Sequence, residues 1–133
     1  MMREEFIKLY KEGRRDFRDV DLSGAILRGA ILRGAKLQGA KLQGAKLQDA
    51  NLMGANLQDA DLSGAKLSDA NLSIANLEDA NLEGADLRSI TLCGATIDGV
   101  ILNPGDIGGP GHILYALTTD EAGMIEEKRR LVQ

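Results

Sequence analysis

His112 is the only histidine of the chain and Cys93 the only cysteine. One of each excludes a Cys/His metal site and an internal disulfide, because zinc needs several such ligands and a disulfide needs a second thiol. The serines Ser23, Ser63, Ser68 and Ser73 have no neighbouring histidine to act as base, so a hydroxyl nucleophile is not indicated. Carboxylates such as Asp59 and Glu78 are able to approach each other, but the repetition of the chain creates such pairs automatically and no pocket accompanies them. The Gly-rich stretch from Asn103 to Gly111 is not followed by Gly-Lys-Ser/Thr, and it reads as a turn rather than a phosphate cradle. Asn71-Leu72-Ser73 matches a glycosylation acceptor, which has meaning only in a secreted chain. The expectation is therefore a protein that is not an enzyme and carries no cofactor.

These groups are positioned by a repeat. From Ala25 to Leu87 the order Ala, polar, Leu, variable, Gly or Asp returns every five residues, as in AKLQG, AKLQD, ANLMG and ADLSG. The phase extends over residues 15–104 as 18 consecutive pentads without insertion or deletion. Five matches neither the helical period of 3.6 nor the strand period of 2. On a helix the leucines would step about 140° each time and spread over every face. No apolar seam at the coiled-coil spacing is present either. Each pentad must then be a short extended piece followed by a corner, with Leu pointing repeatedly at one axis and Gly, Asp or Ser at the bends. Stacked coils of this kind satisfy one another's backbone groups, as in a solenoid.

The A(D/N)LXX pattern resembles the pentapeptide-repeat family, and the likeness covers about two-thirds of the chain, closest in style to small cyanobacterial members. The resemblance implies an all-β solenoid: a right-handed, four-sided β-helix with one pentad per side. It also implies that the central Leu and the residue two before it face inwards. Sixteen of the 18 central positions are Leu, with Phe17 and Ile97 as the exceptions. The second inward slot is Ala in 14 pentads, and Arg15, Val20, Ile90 and Val100 replace it near the ends. Lys36, Lys41, Lys46 and Lys66 depart from the family's Asp/Asn in an outward slot, as do Ile26, Ile31 and Ile101. Eighteen sides make about 4.5 coils, a tube only about 22 Å long at ordinary strand spacing.

Both open ends of such a tube need covers. Residues 1–14 are expected to form an N-terminal capping helix, with Phe6, Ile7, Leu9 and Tyr10 near one face and Gly13 as its stop. Residues 105–133 are expected to form a second cap, with Ile113, Leu114, Tyr115 and Leu117 over the last coil and His112 in its loop. Thr118-Thr119-Asp120-Glu121 resembles a capping box, which predicts a helix from about Thr119 to Leu131. The whole is one domain. The charged start is neither a signal peptide nor a membrane anchor, so the expected location is cytoplasmic.

Residues 20 apart stack in a four-sided coil, which sorts the outward side chains onto four walls. The first wall, with Leu37, Leu57 and Leu77, carries a net −4; the second, with Leu42, Leu62 and Leu82, carries −2; the third, with Leu47, Leu67 and Leu87, carries +1. The fourth has a single charge, Arg33, and exposes Ile31, Asn51, Met53, Asn71, Ser73, Ile74, Thr91 and Cys93. A weakly charged strip holding Ile and Met is the candidate protein-interaction face; drift in an unconstrained wall is the alternative reading.

Two functions of different class follow. One is a non-enzymatic scaffold with a protein partner, itself a monomer or weak homodimer. The other, implied by the resemblance, is a DNA mimic that binds a topoisomerase such as gyrase and protects it from quinolones. Mimicry needs a long and strongly negative rod, whereas the net charge here is −4 and residues 15–48 are basic. Nucleic acid is not an expected partner, because net acidity repels phosphate, and the sides lack aromatics for base stacking.

Overall fold

A computed structural model describes residues 1–102 of the chain. Its unit is set by a corner. Seventeen residues, every fifth from Asp19 to Gly99, have φ between 55° and 73°. This is the left-handed region that glycine enters without a steric penalty. The N–H after each corner donates to the carbonyl of the preceding central residue, as in Ala55 to Leu52 at 3.0 Å. Positive φ at the third of those four residues is what a type II turn requires.

The pentad Asn51–Ala55 shows where every backbone donor goes. Asn51 N–H bonds the Ala30 carbonyl at 2.9 Å, in the coil before, while Leu52 and Gly54 bond Asn71 and Ser73 of the coil after at 2.8 and 2.9 Å. Ala55 closes the turn. The remaining donor, Met53 N–H, is accepted by the Asn51 side-chain Oδ1 at 3.1 Å. Asp or Asn in the first slot therefore has a backbone role, the Asx turn. Where Lys36, Lys41, Lys46 and Lys66 occupy that slot, the bond is not made; the departure removes a turn contact as well as altering the surface.

Coils pair through single parallel bridges spaced by 20 residues, such as Asp16 with Lys36 and Asn51 with Asn71. The walls are thus ladders of one-residue bridges rather than long strands, because every pentad must turn again after its bridge. Inside, the central residues from Phe17 to Ile97 are at most 2% exposed. The alanines from Ala35 to Ala80 are at most 1% exposed, so the second slot holds a methyl and nothing larger in mid-tube.

A helix, α1 (Arg3–Lys11), lies against the first coil and buries Phe6. Glu4 and Glu5 sit in its first turn and Lys8 and Lys11 in its last, which suits the helix dipole, and Gly13 at φ 106° follows its end. The first coil has no coil before it, so two rows of its carbonyls, at the positions equivalent to Lys36 and Gln38, lack the usual donors. The N-terminal segment supplies one per wall. Arg14 Nε bonds the Asp16 carbonyl at 2.7 Å, the Met1 ammonium that of Asp21 at 2.7 Å, Arg3 Nε that of Ile26 at 2.5 Å, and Tyr10 OH that of Arg33 at 2.7 Å. Part of the exposed sheet edge is thereby capped by three side chains and the N-terminal ammonium.

Arg15 corrects its expected inward place. It is exposed, and its guanidinium stacks 3.8 Å from the Tyr10 ring centroid and donates to the Tyr10 and Arg14 carbonyls. A guanidinium in a dry tube without a partner would be costly, so the side chain turns out. Val20, Ala25 and Ala30 are only half-buried, since the first coil is covered on one side alone. The expected second cap, with His112, Tyr115 and the Thr119–Leu131 helix, lies outside the described residues.

Candidate interaction surface

The fourth wall is assembled as the 20-residue stacking requires: Ile31 bridges Asn51, Asn51 bridges Asn71, and Asn71 bridges Thr91. Beside this column runs a second, Arg33, Met53, Ser73 and Cys93, and beside that the corners Gly34, Gly54, Ile74 and Gly94. All nine predicted face residues therefore lie on one wall.

Their availability differs. Ile31 and Ile74 are each 64% exposed, Thr91 and Arg33 are exposed, and Asn51, Met53, Asn71, Ser73 and Cys93 are half-buried. Asn51 and Asn71 use their Oδ1 atoms for the Met53 and Ser73 N–H groups, at 3.1 and 2.9 Å. Arg33 Nη2 lies 3.5 Å from Met53 Sδ, folding the one charge of the wall along it rather than outwards. The carboxylates and cations elsewhere are differently arranged. On the first wall Arg18 grips Asp16 at 2.7 Å, and on the third Arg88 grips Asp86 at 2.6 Å. Those bonds from Arg18 and Arg88 hold both carboxyls below the usual range, Asp16 at about 2.

Ile74 stands apart from the rest. It occupies a corner at φ 55°, where the other 16 corners are Gly, Asp or, once, Ser89. A β-branched residue in the left-handed region is a genuine outlier, and such positions cost on the order of 1–3 kcal/mol. Its side chain spreads over both neighbouring corners. A methyl added at Gly94 would sit 3.0 Å from Ile74 Cγ2, and one at Gly54 would sit 3.8 Å from Ile74 Cδ1. Ile26 and Ile101 are also exposed, but in the extended first slot, where β-branching is unstrained. The signal for Ile74 was present in the sequence as the one apolar residue in the Gly/Asp slot of the repeat.

Among the described residues, no group of three or more His, Cys, Asp or Glu side chains is placed to hold a metal ion. No helix among them is long and apolar enough to cross a membrane.

The family model described as pentapeptide repeats, eight copies, matches residues 16–54, 35–73 and 75–103. Among solved structures, the pentapeptide repeat protein alr5209 from Nostoc PCC 7120 is 34% identical with a TM-score of 0.69, over 77% of this chain and 96% of that one. HetL, a pentapeptide repeat protein involved in heterocyst differentiation regulation in Nostoc sp. strain PCC 7120, is 34% identical with a TM-score of 0.48, over 74% of this chain and 48% of that one. Trypsin-treated QnrB1, a plasmid-mediated fluoroquinolone resistance protein, is 22% identical with a TM-score of 0.50, over 64% of this chain and 56% of that one, a likeness of fold alone. No curated protein matches the sequence.

Proposed function

Since this chain belongs to the pentapeptide-repeat family and has the family's right-handed β-helix, we propose that it is a non-enzymatic scaffold that binds another protein through its fourth wall. In this reading residues 15–104 form a four-sided tube of about 4.5 coils. Residues 1–14 close its first end, and the protein works in the cytoplasm as a monomer or weak homodimer. The tube displays side chains at fixed spacing and does no chemistry.

The observation that carries this reading is Ile74. An exposed isoleucine in a left-handed corner costs folding free energy, and at all but one of the other 16 corners the repeat has the less strained Gly or Asp. Strain retained on an apolar, weakly charged wall supports recognition there, with Met53 and Ile31 on the same surface. The QnrB1 likeness supplies the topoisomerase reading with no argument beyond fold.

The test is a paired affinity capture from extract of the native host, using the wild-type chain and the Met53→Lys/Ile74→Lys variant at matched melting temperature. The scaffold reading expects a protein retained by the wild type and lost by the variant. Identical retention by both would remove the fourth wall from the proposal. A gyrase supercoiling assay with a quinolone serves the other reading, and protection by added protein would promote it.

A further inference from the structure

A tube filled by Leu and Ala offers no concave site of its own. A cleft of about 520 Å³ nevertheless opens where α1 meets the corner between the third and fourth walls. Its volume falls within the range of small-molecule sites. Four cations line it, Arg3, Lys11, Arg15 and Arg28, and no carboxylate does. Its apolar surface comes from Ile7, Tyr10 and Ile31.

None of the four cations of this cleft is in an ion pair among the described residues. Lys8 pairs with Glu12, Arg18 with Asp16 and Arg88 with Asp86. By contrast, Arg3 and Arg15 are held by neutral backbone carbonyls, of Ile26 for the first and of Tyr10 and Arg14 for the second. Those bonds fix the two guanidinium groups without cancelling them. The side chains of Lys11 and Arg28 form no hydrogen bond or ion pair with any described residue. Four like charges around one apolar cleft repel one another, and an anion entering between them relieves that repulsion while gaining charge-assisted hydrogen bonds. The apolar lining adds a demand on the ligand: a bare inorganic anion would leave Ile7 and Ile31 uncovered.

We infer that this cleft binds a small organic anion, one carrying a carboxylate, sulfonate or phosphate group on an apolar body. The acidic group lies among Lys11, Arg28 and the two fixed guanidinium groups, and the apolar body covers Ile7 and Ile31. This site shares Ile31 with the fourth wall, but Lys11 and Arg28, which its test changes, lie outside that wall, so the failure of one reading is distinguishable from the failure of the other.

The test is a fluorescence titration of the full chain with anilinonaphthalene sulfonate, an apolar aromatic body bearing one sulfonate. One saturable site per chain is expected. Decanoate should displace the probe and decylammonium, of the same chain length and opposite charge, should not. Lys11→Glu/Arg28→Glu should weaken binding by at least about tenfold. Both side chains are exposed and unbonded among the described residues, so the variant should keep the fold, with its melting curve as the check. Lys36→Glu/Lys41→Glu makes the same charge change on exposed residues of the first and second walls and should leave binding unaltered. Absence of a saturable phase, displacement by decylammonium, or equal weakening in both double variants would overturn the assignment.

Discussion

The ring of Phe6 on α1 meets the ring of Phe17 in the first pentad edge to face, with centroids 4.6 Å apart and planes at 69°. Both side chains are fully buried, and Arg14 lies 4.8 Å over the Phe17 ring from outside. One aromatic contact thus joins the cover to the tube, while four donors around it cap part of the carbonyl rim. Phe6→Ala should lower stability in urea by about 3–5 kcal/mol, the cost of a large buried ring. Tyr10→Phe, which removes only the hydroxyl on the Arg33 carbonyl, should cost about 1 kcal/mol. Equal small losses in both would mean that α1 does not seal the tube.

The two inward slots differ in the room they leave. Leu52 and Ala55 are each 1% exposed within the same coil. Leu52→Ala should open a cavity costing about 2–5 kcal/mol. Ala55→Leu should overpack, at about 1–3 kcal/mol. Chemical denaturation measures both, and an unchanged midpoint for either would contradict its inward placement.

Glycine corners are not equivalent. Gly24 and Gly39 share almost the same φ, 68° and 69°, but a methyl at Gly24 meets nothing within 4 Å while one at Gly39 would overlap the Asp19 carboxylate. Both alanine variants should lose about 1–2 kcal/mol to the left-handed backbone. Gly39→Ala should lose more, and Asp19→Gly in the same chain should remove the excess, a coupling that a double-mutant cycle reads directly.

The Asp16–Arg18 pair predicts an acid effect of definite sign. Bonds from the Arg18 side chain, then its backbone N–H, lower the Asp16 carboxyl from 3.8 to about 2. A folded-state value below the unfolded one means that the carboxylate contributes stability above the ordinary value and loses that contribution as pH falls through about 2. An NMR titration of the Asp16 carboxyl should show the low midpoint, and Arg18→Gln should return it towards 3.8. A midpoint unmoved by the substitution would remove Arg18 as the cause.

Much of this was legible in the sequence because the repeat fixes backbone and core together. A Leu every fifth residue turned one slot inwards; the resemblance to the pentapeptide-repeat family implied the second, two before it, and the four-sided coil whose 20-residue stacking places Ile31, Asn51, Asn71 and Thr91 in one column. Four features were not legible. Arg15 follows the repeat by number but turns out, because desolvation outweighs the phase of the pattern. The rim bonds of Met1, Arg3, Tyr10 and Arg14 depend on how α1 lies across the first coil, which no periodicity encodes. The basic cleft arises from that same docking. The dual role of Asn51 and Asn71, as face residues and as acceptors for their own turns, needed the backbone geometry to be seen.

The claim that Ile74 is kept for recognition and not for the tube is tested most directly by the unfolding free energy of Ile74→Gly. Glycine relieves the left-handed corner and gives up contacts of a side chain that is 64% exposed. The variant should therefore be more stable than the wild type in urea, by about 1 kcal/mol. A loss of stability instead would show that Ile74 supports the corner itself and would take away the reason for assigning it to a partner.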